Sequence, residues 1–365
     1  MIDEKLMTPE ECASCALRSL YRRYGYLPFR MSRFEEYDFY ARNKDFLVSD
    51  RMITFTDGRS RLMALKPDVT LSIIKSGSDT PGCKQKLCYS ENVYRSAGET
   101  GQFREIMQTG LECMGDLDAY DRFEVIRLAA KSLELLGGDW VLNLSHLGLL
   151  DALLKDLRIG SGLSSDVLRC IAGRNLHELS GFCREAGLEE QSVDALCVLA
   201  RIHAPLSEAV AMLRQYCRSE NARAALRELE ELCGALACAP VAGKVFFDLS
   251  VVNNRKYYNG LVFQGFLEGA PENVLAGGQY DRLMARMGRN SSGLGFAVYL
   301  DRLPPQTEAE EADVDLLLLY DDPRKAAAEV SRLADAGMRV CAQREMPPKL
   351  RYRELLDLRG GGEHA

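Results

Sequence analysis

Residues 84–115 read KQKLCYSENVYRSAGETGQFREIMQTGLECMG, a pattern that predicts two β-strands joined by a polar, glycine-containing loop. In the second strand, Arg104, Gln108 and Glu112 are spaced by four. Side chains alternate between the two faces of a strand, so this even spacing predicts that all three point to the same face. The spacing alone is at least as consistent with solvent-facing positions for Gln108 and Glu112 as with a binding surface.

The segments around this hairpin predict more strands, together with helices. Residues 52–67, MITFTDGRSRLMALKP, contain two β-rich runs around Asp57-Gly58 and predict a second hairpin. Helices are predicted over 8–25 and 118–136. Strands are predicted over 244–252, 260–269 and 293–303, and the last of these turns helical at its end. From about 146 to 238, by contrast, nearly every segment has apolar residues at helical spacing.

A linker and a small C-terminal unit follow. Residues 304–313, PPQTEAEEAD, read as a linker because of their prolines and acidic run. The segment from Val314 to Ala342 then predicts strand, helix and strand, and the tail RGGGEHA is expected to be frayed. The order of these patterns predicts an α+β fold, in which an antiparallel sheet flanked by helices is interrupted by a helical insertion. The predicted divisions are a core of 1–140 and 241–305, a helical insertion of 141–240 and a short α/β segment of 312–365.

Composition narrows the class of protein. The 365 residues carry a net charge of −7, which gives no basic stripe for a phosphate backbone and makes nucleic acid an unlikely main partner. The N-terminal residues MIDEKLMTPEECASC lack an apolar run, and no stretch approaches the length of a membrane span, so a cytoplasmic location is expected. The 12 cysteines are irregularly spaced, and Cys12-x-x-Cys15 has no second such pair, so no metal is expected.

Polar groups concentrate in four runs that could face one pocket: LKPDVT (65–70), VYRSAGETGQFREIMQTGLE (93–112), NNRKYYNG (253–260) and AGGQYDRL with GLGFAVYLDRL (276–303). Asp68, Gln108 and Glu112 would accept hydrogen bonds from an ammonium group or a ring N–H. Fork-shaped donors for a carboxylate or phosphate would come from Arg95, Arg104 and Arg302.

Several of these positions have a simpler interpretation. Asp68 follows a proline and is equally suited to organising a turn. Gly277-Gly278 is consistent with a β-bulge, and Gly293-x-Gly295 is too short for a dinucleotide fingerprint. For Arg95 and Arg302, pairing with structural carboxylates is as consistent with the sequence as anion binding.

Taken together, the four runs resemble the catalytic core of class II histidyl-tRNA synthetases and their paralogues. The run LKPDVT is similar to that family's LRPEGT, and residues 93–115 are similar to its motif 2 and histidine-contacting strand. KYYNGLVFQGF resembles the family's tyrosine turn, and residues 276–303 resemble motif 3. The resemblance covers roughly residues 8–305 and implies a class II aminoacyl-tRNA synthetase-like sheet.

Departures from that pattern bear on function. Asn253 stands where the family has an arginine that offsets phosphate charge, and the motif 2 run of residues 94–97 lacks the family's glutamate. Ser32 stands where class II enzymes have a proline, and the C-terminal segment is short for an anticodon-binding domain. Because losing one donor aimed at developing charge costs about 10²- to 10³-fold in rate, the sequence predicts a site that binds and does not catalyse.

The resemblance implies which residues would hold a ligand. It assigns the α-ammonium of histidine to Asp68, Thr70 and Gln108, and the imidazole to Glu112 and Tyr258. Tyr257 belongs to the same tyrosine turn and completes the candidate histidine-binding set. No cofactor is implied.

A synthetase-like core with these losses resembles the family of ATP phosphoribosyltransferase regulatory subunits. That resemblance implies a hetero-oligomer with a separate, short catalytic subunit, self-association as a dimer, and histidine as an effector in the first step of histidine biosynthesis. Two alternatives remain open at this point. One is an active histidine-activating enzyme in which Arg255 or Arg104 replaces the lost cation, and the other is a structural scaffold with a relic pocket.

Overall fold

The computed structural model describes residues 7–47, 51–77, 82–97, 102–252, 255–304 and 312–360. The chain divides into two compact units, Met1–Pro304 and Pro305–Ala365. Because the first unit contains both the predicted core and the predicted helical insertion, the boundary drawn between those two stays a prediction.

The strands of the first unit form two sheets within the described residues. In chain order they are β1 (Leu27–Pro28), β2 (Phe34–Glu36), β3 (Thr54–Thr56), β4 (Leu62–Leu65), β5 (Gln85–Ala97), β6 (Gln102–Gly115), β7 (Trp140–His146), β8 (His203–Pro205), β9 (Val245–Asp248), β10 (Leu261–Leu267), β11 (Leu275–Gln279) and β12 (Ser292–Tyr299). The main sheet has the order β1-β5-β6-β12-β11-β10-β7-β9-β8, and β2-β4-β3 form a small sheet. The pairings β1–β5 and β7–β9 are parallel and the others are antiparallel. A mainly antiparallel sheet confirms the predicted α+β class.

The helices of the first unit lie before and between these strands. They are α1 (Pro9–Arg23), α2 (Tyr37–Arg42), α3 (Thr70–Ser76), α4 (Ala119–Leu136), α5 (Leu147–Asp156), α6 (Ser161–Ala172), α7 (Leu176–Glu185), α8 (Glu190–Arg201), α9 (Leu206–Leu213), α10 (Glu220–Leu236) and α11 (Asp281–Arg286). The predicted helix over 8–25 is confirmed: Thr8 and Glu11 form a capping box at its start, and Gly25 has a φ of 83° just after its end. The predicted run of helices between 146 and 238 is confirmed as α5–α10.

Both predicted hairpins are present. β5 and β6 pair from Gln85 with Met114 to Ala97 with Gln102, and β3 pairs with β4. The strand predicted over 244–252 is shorter than expected and ends at Asp248. The reason is local, because the Asp248 carboxylate accepts the backbone N–H of Ser250 at 2.9 Å and turns the chain out of the sheet.

The two faces of the main sheet have different environments. Leu111 and Phe296 belong to the large core that also holds residues of α1 and α4, and the Tyr21 ring of α1 meets the Phe296 ring at 5.8 Å. Residues at odd and even positions of a strand face opposite sides. Gln108 and Glu112 therefore point away from α1 and α4, toward a second cluster of buried side chains that includes Tyr257 and Tyr280.

The second unit is a small parallel sheet with one helix. Its elements are β13 (Val314–Leu319), α12 (Pro323–Asp335), β14 (Val340–Gln343) and β15 (Tyr352–Asp357), and its strand order is β14-β13-β15. The predicted strand, helix and strand are confirmed as β13, α12 and β14, and the sheet also contains β15, a strand that the sequence did not predict. Arg353 and Glu354 interrupt the apolar pattern of β15, and its pairing with β13 is a long-range contact that local pattern does not show.

Among the described residues, no helix is both long and apolar enough to cross a bilayer. The cytoplasmic location stays a prediction.

Candidate functional site

The six residues predicted to bind a ligand come together on one face of the main sheet. They line a single pocket: Asp68, Thr70, Gln108, Glu112, Tyr257 and Tyr258. Asp68 and Thr70 lie where β4 leads into α3, and Gln108 and Glu112 lie on β6. The two tyrosines lie in residues 255–260, called here the tyrosine turn, immediately before β10. Arg95 of β5 also lines the pocket.

The position of Asp68 is consistent with both interpretations that the sequence left open. Its Oδ1 accepts the backbone N–H of Leu71 at 2.9 Å, so the carboxylate organises the first turn of α3. Its side chain is also 11% exposed and belongs to the pocket lining. Burial raises the pKa of Asp68, and the nearby Arg95 guanidinium opposes that rise. The turn therefore fixes a carboxyl group at the pocket wall.

Glu112 lies at the floor of the pocket and is 2% exposed. The Thr70 hydroxyl donates to its Oε1 at 2.7 Å, and the Tyr280 hydroxyl donates to its Oε2 at 2.7 Å. Burial is the main cause that raises the pKa of Glu112 to about 8, against the opposing effect of those two hydrogen bonds. A carboxyl group with that pKa is largely protonated at neutral pH, and an approaching cation or ring N–H would favour its ionised form.

Gln108 supplies hydrogen-bonding capacity that the described residues do not use. Its side chain is 2% exposed, and its Nε2 has no hydrogen-bond partner among the described residues. A buried amide without a partner costs about 1–3 kcal/mol, so such groups in native proteins usually meet a ligand or water. Because Gln108 lines the pocket, its amide is placed to bond a polar ligand.

Tyrosine rings form the wall opposite β6. The Tyr257 ring centre lies 4.7 Å from that of Tyr258 and 6.1 Å from that of Tyr280. Burial raises the pKa of all three tyrosines well above the ordinary value, so they remain protonated phenols. Such a wall offers ring faces for a flat group together with hydroxyls that donate or accept.

Glycines allow these side chains to approach the sheet. A Cβ on Gly295 of β12 would collide with the Glu112 carboxylate and lie 2.5 Å from the Leu111 carbonyl oxygen. A Cβ on Gly278 of β11 would lie 2.7 Å from Cδ1 of Tyr258. Gly277 and Gly278 pair regularly with both neighbouring strands, so they are not the bulge that the sequence allowed.

The three arginines proposed as anion-binding residues have different positions. Arg95 donates from Nε to the Pro67 carbonyl at 2.8 Å, and its Nη2 lies 3.8 Å from Oδ2 of Asp68. Arg104 is exposed and stands opposite Arg95 in the β5–β6 ladder. The Arg302 side chain bonds the Asn273 carbonyl at 3.0 Å and pairs with Glu272 at 3.3 Å. Of the three, Arg95 alone is among the described residues that line the pocket.

The structure describes some, and not all, of the positions that depart from the synthetase pattern. Asn253 lies outside the described residues. Arg255, the nearest alternative cation in sequence, forms an ion pair with Asp151 of α5. Ser32 accepts the backbone N–H of Phe34 at 3.3 Å, which places it in a local turn.

Two residues of the site were missed by the sequence predictions. Tyr280 lies within a run chosen for its polar groups, yet nothing in its spacing indicates the bond to Glu112. Tyr89 of β5 lines the pocket because Gly110 stands opposite it in the β5–β6 ladder. A Cβ on Gly110 would lie 2.5 Å from the Tyr89 hydroxyl, a packing requirement that only strand register makes visible.

Known proteins resemble this chain along most of its length. The family model for histidyl-tRNA synthetase matches residues 5–303. A relative from Halothermothrix orenii, named ATP phosphoribosyltransferase regulatory subunit, is 24% identical over 337 residues, which are 89% of this chain and 80% of the relative. The family match covers the span predicted from the motifs.

Two solved structures share the fold. One, described as an ATP phosphoribosyltransferase regulatory subunit/histidyl-tRNA synthetase from Bacillus halodurans, has a TM-score of 0.76 and 22% identity over 96% of this chain and 93% of its own. The other, an ATP phosphoribosyl transferase complex from Thermotoga maritima, has a TM-score of 0.63 and 20% identity over 80% of this chain and 97% of its own. These matches confirm the predicted class II synthetase-like fold.

Proposed function

The chain belongs to the histidyl-tRNA synthetase family, and from that premise we propose that it is the regulatory, non-catalytic subunit of an ATP phosphoribosyltransferase. In this role it activates a separate, short catalytic subunit and transmits feedback inhibition by histidine at the first step of histidine biosynthesis. The names of relatives aligned over most of both chains support the assignment. The observation that carries the sensing role is the buried pocket in which two hydroxyls hold Glu112, close to Gln108, whose Nε2 has no hydrogen-bond partner among the described residues.

The proposed ligand, histidine, suits the groups that line the pocket. The α-ammonium group would find acceptors in the Asp68 carboxylate, the Gln108 amide oxygen and the Thr70 hydroxyl oxygen, and the Gln108 Nε2 remains a donor for another polar group. Glu112 supplies an acceptor for an imidazole N–H, and Tyr258 offers a hydroxyl and a ring face. Bound histidine would favour the ionised form of Glu112, because its ring N–H would supply a hydrogen bond in place of the water that burial excludes.

Arg95 is the proposed partner of the α-carboxylate of histidine. It is the cationic side chain among the described residues that line the pocket, and it is 13% exposed. Its bond to the Pro67 carbonyl fixes one edge of the guanidinium and leaves the other edge for a carboxylate. Arg104 and Arg302 stay predicted anion-binding residues without a place in this pocket.

Arg95→Gln is therefore expected to lower the affinity for histidine more than that for histamine, which lacks the carboxylate. The affinity for histidine divided by the affinity for histamine should fall by about tenfold or more, because a charge-assisted bond contributes roughly 1.5–3 kcal/mol. Calorimetric titration of both ligands measures this ratio. Arg104→Gln, which removes the exposed arginine opposite Arg95, is the matched control and should leave the ratio unchanged. An equal loss for both ligands in Arg95→Gln would contradict the carboxylate role.

The proposed function is tested by combining this chain with the short catalytic subunit of its own organism. Adding the chain should increase the formation of phosphoribosyl-ATP, and histidine should then suppress it. The chain alone should show no histidine-dependent exchange between pyrophosphate and ATP. Exchange at an enzyme-like rate would establish a histidine-activating enzyme instead, and activation without any histidine effect would favour the scaffold.

The structure gives little support to either alternative. An activating enzyme needs, besides Arg95, a cation that offsets the phosphate charge, which is the role of the family arginine that Asn253 replaces. Arg255 is paired with Asp151 and Arg104 is exposed, so neither is placed to supply it. A relic pocket would have no reason to keep the Gln108 Nε2 buried without a partner in the part of the chain that the structure describes. Dimerisation through the region around Ser32 and the hetero-oligomeric assembly remain part of the proposal.

A further inference from the structure

We propose that α5 positions the tyrosine turn, through the ion pair between Asp151 and Arg255, and thereby couples the helical segment of residues 147–236 to the pocket. Asp151 and Arg255 are positioning residues in this proposal, since neither lies among the side chains assigned to the ligand. The consequence for histidine rests on the proposed function, whereas the positioning itself is a property of the folded chain.

Sheet topology places α5 beside the tyrosine turn. β7 and β10 are antiparallel neighbours, and Leu261 at the start of β10 is paired with His146 at the end of β7. One step further, the backbone N–H of Leu147, the first residue of α5, donates to the Gly260 carbonyl at 2.9 Å. The last residue of the tyrosine turn is thus attached to the first residue of α5.

The ion pair holds the other end of the turn. Asp151 lies four residues after Leu147, so both lie on the same side of α5. The side chains of Asp151 and Arg255 are 32% and 27% exposed, which leaves the pair partly shielded from solvent. Burial and the nearby charge of Arg282 lower the pKa of Arg255.

α5 is itself fixed within the helical segment. His146 caps the helix, because its Nδ1 accepts the backbone N–H of Leu149 at 3.0 Å. The same ring places Nε2 at 3.5 Å from Glu228 of α10. A displacement of the α5–α10 packing would therefore reach the tyrosine turn through both Leu147 and Asp151.

From the turn, contacts lead directly to the pocket floor. The Tyr257 ring, two residues after Arg255, contacts the rings of Tyr258 and Tyr280. Tyr280 donates to Glu112, the carboxylate assigned to the imidazole. Moving the turn changes the wall and the floor of the pocket together, which gives the helical segment a route to alter ligand affinity.

Hydrogen–deuterium exchange of the full chain tests the positioning without any ligand. In Asp151→Asn, amides of the tyrosine turn should exchange about three- to tenfold faster than in wild type, because a partly shielded ion pair that holds the turn closed is lost. The charge-exchanged double variant, Asp151→Arg with Arg255→Asp, should return exchange toward the wild-type rate. Glu190→Gln removes an exposed ion pair with Arg184 elsewhere in the helical segment, and Lys256→Gln removes an exposed cation from the turn itself. Both controls should leave exchange in the turn unchanged.

Histidine titration of the same variants separates this inference from the proposed function. Asp151→Asn should bind histidine about three- to tenfold more weakly, and the double variant should recover most of that affinity. If the amides of the tyrosine turn exchange at the wild-type rate in Asp151→Asn, the inference is wrong, whether or not the chain binds histidine. If the wild-type chain binds no histidine but the turn still loosens in Asp151→Asn, the positioning stands and the proposed function fails.

Discussion

Replacing Glu112 with alanine is expected to weaken histidine binding by about 100-fold or more. The carboxylate is buried, and a charge-assisted bond to a desolvated ligand group contributes several kcal/mol when one partner is removed. Calorimetric titration at neutral pH measures the loss. Because alanine also leaves the Thr70 and Tyr280 hydroxyls without their acceptor, Glu112→Gln is the companion variant that keeps the shape of the side chain.

Gln108→Ala should reduce the affinity by about tenfold, since a neutral amide contributes less than an ionised group. Glu105→Ala is the matched control for both variants. Glu105 lies on the same strand at an odd spacing from Glu112, and its carboxylate accepts hydrogen bonds from the half-buried side chains of Asn92 and Tyr94. Histidine affinity should be unchanged in that control. If Glu112→Ala and Gln108→Ala both bind histidine as the wild type does, the pocket is not the sensor.

The residues of β6 show why part of the site was predictable. Strand geometry alone places Gln108 and Glu112 on one face, so their shared orientation follows from a spacing of four. Whether that face meets solvent or a pocket depends on what covers it, and the cover comes from the tyrosine turn, about 150 positions further along the chain. The family resemblance predicted that these segments meet at one pocket, whereas the spacing alone was consistent with either a solvent-facing surface or a pocket.

The missed features have one physical cause in common. The bond from Tyr280 to Glu112, the close approach at Gly110 and the addition of β15 to the second sheet all depend on which strands are neighbours and in what register. Local propensity carries no information about register between distant strands. The same limit applies to the ion pair of Arg255, whose partner Asp151 lies 104 positions away in sequence.

The proposed function requires a binding site that persists without catalysis. Selectivity for an amino acid requires only that its polar groups find partners in the bound state. Acceleration of adenylate formation additionally requires positive charge placed where negative charge develops. A regulatory chain that uses histidine needs the first property alone, since an effector shifts an equilibrium by its different affinities for two states.

Gly295→Ala is expected to lower the free energy of unfolding by about 3 kcal/mol and also to abolish histidine binding. Overpacking a buried position costs about 1–3 kcal/mol, and here the added methyl group would meet both the Glu112 carboxylate and the Leu111 carbonyl of the neighbouring strand. The carboxylate can rotate away only by leaving Thr70 and Tyr280, and the carbonyl can move only with the β6 backbone. Thermal unfolding should show a melting temperature lower by roughly 5–10 °C.

A glycine with open surroundings separates this steric effect from the general effect of adding a methyl group. Gly181 lies inside α7, and a Cβ built there meets nothing within 4 Å. Because alanine favours a helix interior over glycine by up to about 1 kcal/mol, Gly181→Ala should unfold at the same or a higher temperature. Its histidine affinity should equal that of the wild type. Should Gly295→Ala match Gly181→Ala in both measurements, β12 does not press against the carboxylate as described, and the requirement for glycine at the pocket floor is wrong.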